Sequence, residues 1–187
     1  TEYTYKLLVA GEEIGESLTF TTEAAPNLPN ASFEHVSLVT GATDPVYYKF
    51  YDPNCTDPDC VNEGGHTMFW GSGNGEGQDG VNGSAKVGTV ITKIDTDIKV
   101  DGNQSILAVT GDNSGFLAAG NLFTGQFDGL VGMEGGKVKF GRPWASKSRP
   151  SALKLYCKYS TGKINFMNND NLGLTKNQDY DRAQIKV

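Results

Sequence analysis

The chain has little of what most catalytic, membrane or nucleic-acid chemistries require. Its only histidines are His35 and His66, with no zinc-ligand spacing around either, and a Ser-His-Asp constellation cannot be argued from them. No stretch of ten or more residues keeps a helical period, which excludes a helical fold. No run approaches the roughly 20 apolar residues of a membrane-spanning helix, and neither a signal peptide nor a lipidated cysteine is visible. Positive charge is scarce: 16 Lys and Arg stand against 22 Asp and Glu, a net charge of −6. That balance argues against broad attraction to nucleic acid or an anionic membrane. The acidic residues include no recognisable catalytic pair of the kind glycoside hydrolysis needs. The glycine-rich FWGSGNGEGQDG has no following helix and no suitably placed acidic residue, so it is not a dinucleotide cradle.

What is present points to strands and turns. There are 24 glycines, eight tyrosines and nine phenylalanines in 187 residues, enough chain for one medium domain with a real core. TEYTYKLLVAG alternates as a strand, EEIGES reads as a turn and LTFTTEA as a second strand. Two strands alone are marginal in water, so residues 1–25 need further chain or another domain to pack against. Prolines 26 and 29 make residues 26–30 a stiff linker, and the main domain is expected over residues 31–187.

Within it, period-two alternation predicts strands over 31–39, 46–51, 67–70, 86–91, 95–100, 105–110, 137–140, 151–159, 163–166 and 183–187. In Ser151–Tyr159 the pattern places Leu153, Leu155, Cys157 and Tyr159 on an inner face, which makes Cys157 a buried thiol. Cys55 and Cys60 are close enough to pin the turn DPNCTDPDC by a local disulfide, which suits an oxidising compartment. The acidic residues of that turn do not fit the spacing of a helix-loop-helix calcium site.

Candidate ligand-binding residues lie on loops and outward strand positions. Arg142 and Arg149 each precede a proline and are therefore extended, and Trp144 follows in the same loop. Trp70 offers a flat apolar face and Asn74 a planar amide beside it, the combination that sugar recognition uses. The competing reading of Trp70 is a core tryptophan next to a loop. Tyr156 points outward on its predicted strand.

The blocks AAGNLFTGQF (118–127), FGRPW (140–144) and RPSALKLYCKY (149–159), with PNASFE (29–34) and FWGSGNG (69–75), resemble the PCMD family, carbohydrate-metabolism domains of Bacteroidetes surface lipoproteins. The resemblance implies an all-β, jelly-roll-like sandwich akin to carbohydrate-binding modules. It implies that residues 1–25 end a preceding immunoglobulin-like domain. It also implies export to a bacterial cell surface or outer membrane, with a lipid anchor upstream. Glu34 matches a glutamate that helps hold structural calcium in several such modules; its other reading is a solvated or hydrogen-bonded strand residue. The family's closing acidic strands have no counterpart here, so the chain is a fragment or a protein partner completes it.

The function expected is a non-catalytic module binding a polysaccharide or host glycan through Trp70, Asn74, Arg142, Trp144, Arg149 and Tyr156. The alternatives are a structural or adhesin-like assembly subunit and, behind it, a glycoside hydrolase. Neither nucleic acid nor a membrane span is expected.

Overall fold

A computed structural model of the protein describes residues 2–22, 28–39, 46–52, 54, 68–75, 83–113, 116–132, 135–144, 149–167 and 173–187. Cys55 and Cys60, and with them the expected disulfide, lie outside these residues. Among the described residues there are eleven strands and no helix, and none is part of a helix that could cross a membrane. The strands are β1 (Glu2–Val9), β2 (Glu12–Thr21), β3 (Ser37–Val39), β4 (Tyr47–Lys49), β5 (Trp70–Gly71), β6 (Thr92–Asp95), β7 (Ser105–Ala108), β8 (Gly111–Asn113), β9 (Phe116–Ala118), β10 (Phe123–Val131) and β11 (Gly135–Phe140). They pair antiparallel as β1-β2, β3-β4, β6-β7 and β8-β9, with one three-stranded sheet of order β11-β10-β5. The architecture is all-β and sandwich-like. Two compact units divide the chain, Thr1–Arg149 and Pro150–Val187.

The β1-β2 hairpin turns at Ala10 and Gly11, with φ of 53° and 88°, a two-residue turn whose twist matches that of the flanking strands. The turn expected over EEIGES is therefore placed earlier, and those residues belong to β2. Tyr3 stacks on Phe20 at 5.4 Å, and Lys6 meets Glu13 at 2.9 Å across the ribbon. The register places Tyr3, Tyr5, Leu7 and Val9 of β1 on the same face as Ile14, Leu18 and Phe20 of β2, and all seven are exposed.

In the rest of the first unit, Phe50, Met68, Phe69, Ala85, Ile91, Ala118 and Phe127 form the apolar core. Each large side chain among them contributes about 1.5–3 kcal/mol by leaving water. Phe123 lies over Gly71, its cross-strand partner. A Cβ at Gly71 would sit 2.9 Å from the Phe123 ring, so only glycine leaves room for the aromatic there.

A buried polar knot accompanies this core. Asn74 is fully enclosed. Its Nδ2 donates to the Thr92 carbonyl at 2.7 Å, and its Oδ1 accepts from the backbone N–H groups of Ile91 at 2.8 Å and Thr92 at 3.2 Å. The Thr92 hydroxyl donates to the Asn121 carbonyl at 2.6 Å, and the Asn121 Oδ1 accepts from Gly73 N–H at 2.8 Å. The chain after β5, the start of β6 and the approach to β10 are thereby tied together.

Several expected strands are shorter, shifted or unpaired. The strand expected over 31–39 begins only at Ser37, because Asn30 and Phe33 have φ of 47° and 60°, which ends extended backbone. Asn30 fixes that turn: its Nδ2 donates to the His35 and Phe50 carbonyls, and its Oδ1 accepts from His35 N–H. Residues 84–88 form turns instead of a strand. The strand expected over 95–100 is also replaced, because the Asp95 carboxylate accepts from the N–H groups of Asp97 at 2.8 Å and Ile98 at 3.0 Å and caps β6. Such side-chain bonds compete with ladder pairing.

In the second unit Ser151–Tyr159 is irregular and exposed throughout. Its backbone has no partner strand among the described residues, so there is no inner face, and Cys157 is an exposed free thiol. The strand expected over 163–166 is reduced to one bridge between Lys163 and Tyr180, and 183–187 is not a strand.

Replacing Asn74 by alanine would orphan two buried N–H groups and one carbonyl. A loss of about 3 kcal/mol follows, read as a lower urea midpoint with an unchanged m-value.

Candidate functional site

The nine-residue strand β10 carries the polar array that is the strongest candidate site. Gln126 lies directly opposite Lys139 and Thr124 opposite Trp70, so period-two alternation puts these side chains on one sheet face. The register slips between Phe127 and Gly129, a bulge that inserts Asp128 without a partner in the ladder. Lys139 Nζ reaches the Asp128 carboxylate at 3.2 Å; that carboxylate is only 13% exposed, the lysine 69%. Arg142, two residues past β11, donates from Nη2 to Gln126 Oε1 at 3.2 Å. Its Nε is buried without an acceptor among the described residues. The array therefore presents an amide, a guanidinium and a lysine-bound carboxylate, with half-buried Trp144 in the loop that carries Arg142.

Of the residues singled out in the sequence, Arg142 falls in this array and Trp144 in its loop. Arg149 ends the same unit and is exposed. Trp70 is half-buried. Its Nε1 donates to the Pro29 carbonyl at 2.8 Å and its ring packs on Phe33 and Phe69, with centroids 5.2 and 5.4 Å away. These contacts are those of a packed anchor, in line with the core alternative. Asn74 is corrected: its reading as a sugar ligand gives way to a structural one, because no part of it reaches solvent and its amide is bonded to backbone. Tyr156 belongs to the second unit, 66% exposed, with Lys154 Nζ 5.2 Å from its ring centroid, a cation–π contact. Gln126 and Asp128 were not singled out. Their signal was the alternation of AAGNLFTGQFD, which places both as outward polar residues on a strand.

Glu34 is part of a clamp. Its Oε1 accepts from Asn103 N–H at 2.9 Å and Gln104 N–H at 3.3 Å, and its Oε2 accepts from Asn103 Nδ2 at 3.0 Å. Gln104 Nε2 in turn donates to the Phe33 carbonyl. Gly102 has a φ of 69° and packs against the carboxylate, so a side chain there would be both strained and obstructed. The carboxylate thus already receives three donors from protein, and no group of three His, Cys, Asp or Glu gathers among the described residues. Desolvation acts to raise the Glu34 pKa. The bonds from Asn103 and Gln104 and the charge of His35 outweigh it and hold the carboxyl below its ordinary value.

In the second unit Asp181 ties the chain by accepting from the Gly162 N–H at 2.5 Å and the Thr161 hydroxyl at 2.9 Å. Those donors keep its carboxyl below the usual range. Desolvation first, and the neighbouring Asp181 second, push the Tyr159 hydroxyl up.

The chain is all-β, built of several small antiparallel sheets. The family described as "Putative carbohydrate metabolism domain" (PCMD) matches residues 32–187, and the chain belongs to that family. Neither a curated protein nor a solved structure matches it.

The Glu34 clamp carries a pH dependence with a definite sign. A carboxyl whose folded pKa is depressed stabilises the fold above its unfolded pKa, and that contribution is lost as pH falls through the folded value. Protection of the Asn103 and Gln104 amides, measured against their intrinsic exchange rates, is expected to fall in acid as the pH drops through the lowered Glu34 pKa, and Glu34→Gln to remove that acid-dependent step. Unchanged protection in acid would show that the carboxylate does not hold the loop.

Proposed function

We propose that the chain is a non-catalytic glycan-binding module, acting outside the cell on a bacterial surface. The observation that carries this reading is the half-buried Gln126–Arg142 pair, with Trp144 in the adjoining loop. Sugar hydroxyls come in vicinal pairs that planar amides and guanidinium groups can bond in two places at once, while an indole covers the apolar face of the ring. Membership of a carbohydrate-related family supports the same class of ligand. Hydrolysis is less well supported. Among the described residues the array holds a single carboxylate, Asp128, and Lys139 pairs with it, whereas glycoside cleavage needs two across a cleft.

A second reading, assembly with a protein partner, is favoured by the β1-β2 hairpin. Seven apolar or aromatic side chains on one face of a two-stranded ribbon, each about half exposed or more, form a surface that a neighbouring protein or domain would cover.

Both readings predict measurable outcomes. On a broad glycan array, Trp144→Ala and Arg142→Ala are expected to weaken binding by roughly tenfold or more while leaving the thermal midpoint close to wild type; equal affinity in all three proteins would remove this face from the site. Light scattering tests the assembly reading: a concentration-dependent rise in mass that Tyr5→Glu with Leu18→Glu abolishes would place the contact on the hairpin.

A further inference from the structure

The basic residues are unevenly distributed. Eight of the sixteen Lys and Arg residues fall between Gly135 and Lys163, and none of the 22 Asp and Glu residues does. The remainder of the chain holds eight cations against all 22 anions. In the first unit this segment is β11 and the loop after it. Lys137 and Lys139 are exposed and share a face by alternation; Arg142 is half-buried and Arg149 exposed. The carboxylate that the geometry places against this array is Asp128, and Lys139 takes it. Neither Lys137 nor Arg142 has a carboxylate partner among the described residues. Gln126 receives Nη2 of Arg142, which fixes the plane of the guanidinium without neutralising it.

From this we infer that the β10-β11 face binds an anionic glycan, one bearing carboxylate or sulfate groups, with Arg142 and Lys137 meeting separate anionic groups along it and Gln126 and Trp144 meeting the sugar. The inference rests on the glycan-binding reading and narrows it to a chemical class. A guanidinium suits a planar carboxylate or a sulfate through paired N–H donors, and an exposed lysine adds a mobile point charge. A sparse polyanion fits better than a dense one. Duplex nucleic acid carries a charge about every 1.7 Å and would be repelled by the acidic remainder of a chain of net charge −6. An acidic polysaccharide, with one charge per sugar or fewer, can engage a local basic strip.

The test compares de-esterified polygalacturonate, the same polymer fully methyl-esterified, a sulfated galactan and its unsulfated form, and a single-stranded oligonucleotide. Each is titrated into the full chain at low and high ionic strength. One or both anionic polysaccharides should bind roughly tenfold or more tighter than their neutral counterparts, weakening as salt rises; which of the two binds identifies carboxylate or sulfate as the ligand group. Lys137→Glu changes an exposed side chain and should cut that affinity by roughly tenfold with the thermal midpoint unchanged. Arg142→Gln should do the same, while Arg142→Lys recovers less than half of the loss because it lacks the planar fork. Equal binding of charged and neutral polymers, or indifference to Lys137→Glu, would overturn the anionic class and leave glycan binding standing. Oligonucleotide binding as tight as that of either polysaccharide would overturn it in favour of general polyanion attraction. Absence of binding to every polysaccharide would overturn this inference, and the glycan array would then decide the broader reading separately.

Discussion

The first unit depends on one buried amide. Asn74 sits where the chain leaves β5, and it supplies three hydrogen bonds to neighbouring backbone, at the N–H groups of Ile91 and Thr92 and the Thr92 carbonyl. Buried backbone polar groups left unpaired are costly, so a short strand such as β5 survives only if something else satisfies the chain around it. An aspartate could not donate to the Thr92 carbonyl, and a glutamine would place the same amide one methylene too far. The residue is specified by its hydrogen-bonding pattern more than by its polarity.

That knot determines where the polar face can be. Asn121 receives the Thr92 hydroxyl at its carbonyl and holds Gly73 through its side chain, so β10 starts in register with the anchored β5. From Phe123 onward the alternation of β10 fixes which side chains face which way, and the bulge at Asp128 lets its carboxylate meet Lys139. The Gly-Asn pairs at 73–74 and 120–121 are thus scaffold residues. They hold the face in place without contributing to it. A ligand-binding surface on strands gains rigidity from such support, since each side chain needs only to choose a rotamer.

The sequence was legible where alternation and partner agree. The β11 strand, the N-terminal hairpin and the all-β class follow from period-two patterning, whereas β10, interrupted by glycines at 125 and 129, is not among the strands expected from the sequence. Ser151–Tyr159 alternates just as well and is nonetheless exposed and without a paired strand among the described residues, since alternation reports which residues share a face and not whether a strand exists to pair with. Asn30, Asn74 and Asp95 were the harder cases. Each lies in a glycine- or polar-rich stretch where a solvent-facing side chain and one folded back onto backbone have the same local sequence, and all three fold back. Arg142 was found because X-Pro geometry marks an extended loop. Gln126 and Asp128 were not, because a polar residue on an outward strand position has no distinguishing context until its neighbours across the ladder are known.

The Glu34 clamp also bears on the order in which the chain assembles. Its bond to Asn103 spans 69 residues, whereas β1-β2, β6-β7 and β10-β11 each close over a short loop. The entropy cost of loop closure grows with the logarithm of loop length, so contacts between distant segments form after the hairpins they join. By that logic the 29–35 segment, with Phe33 and the cover it gives Trp70, is a late arrival. The aromatic layer over β5 is completed only once the β6-β7 ribbon exists to receive it.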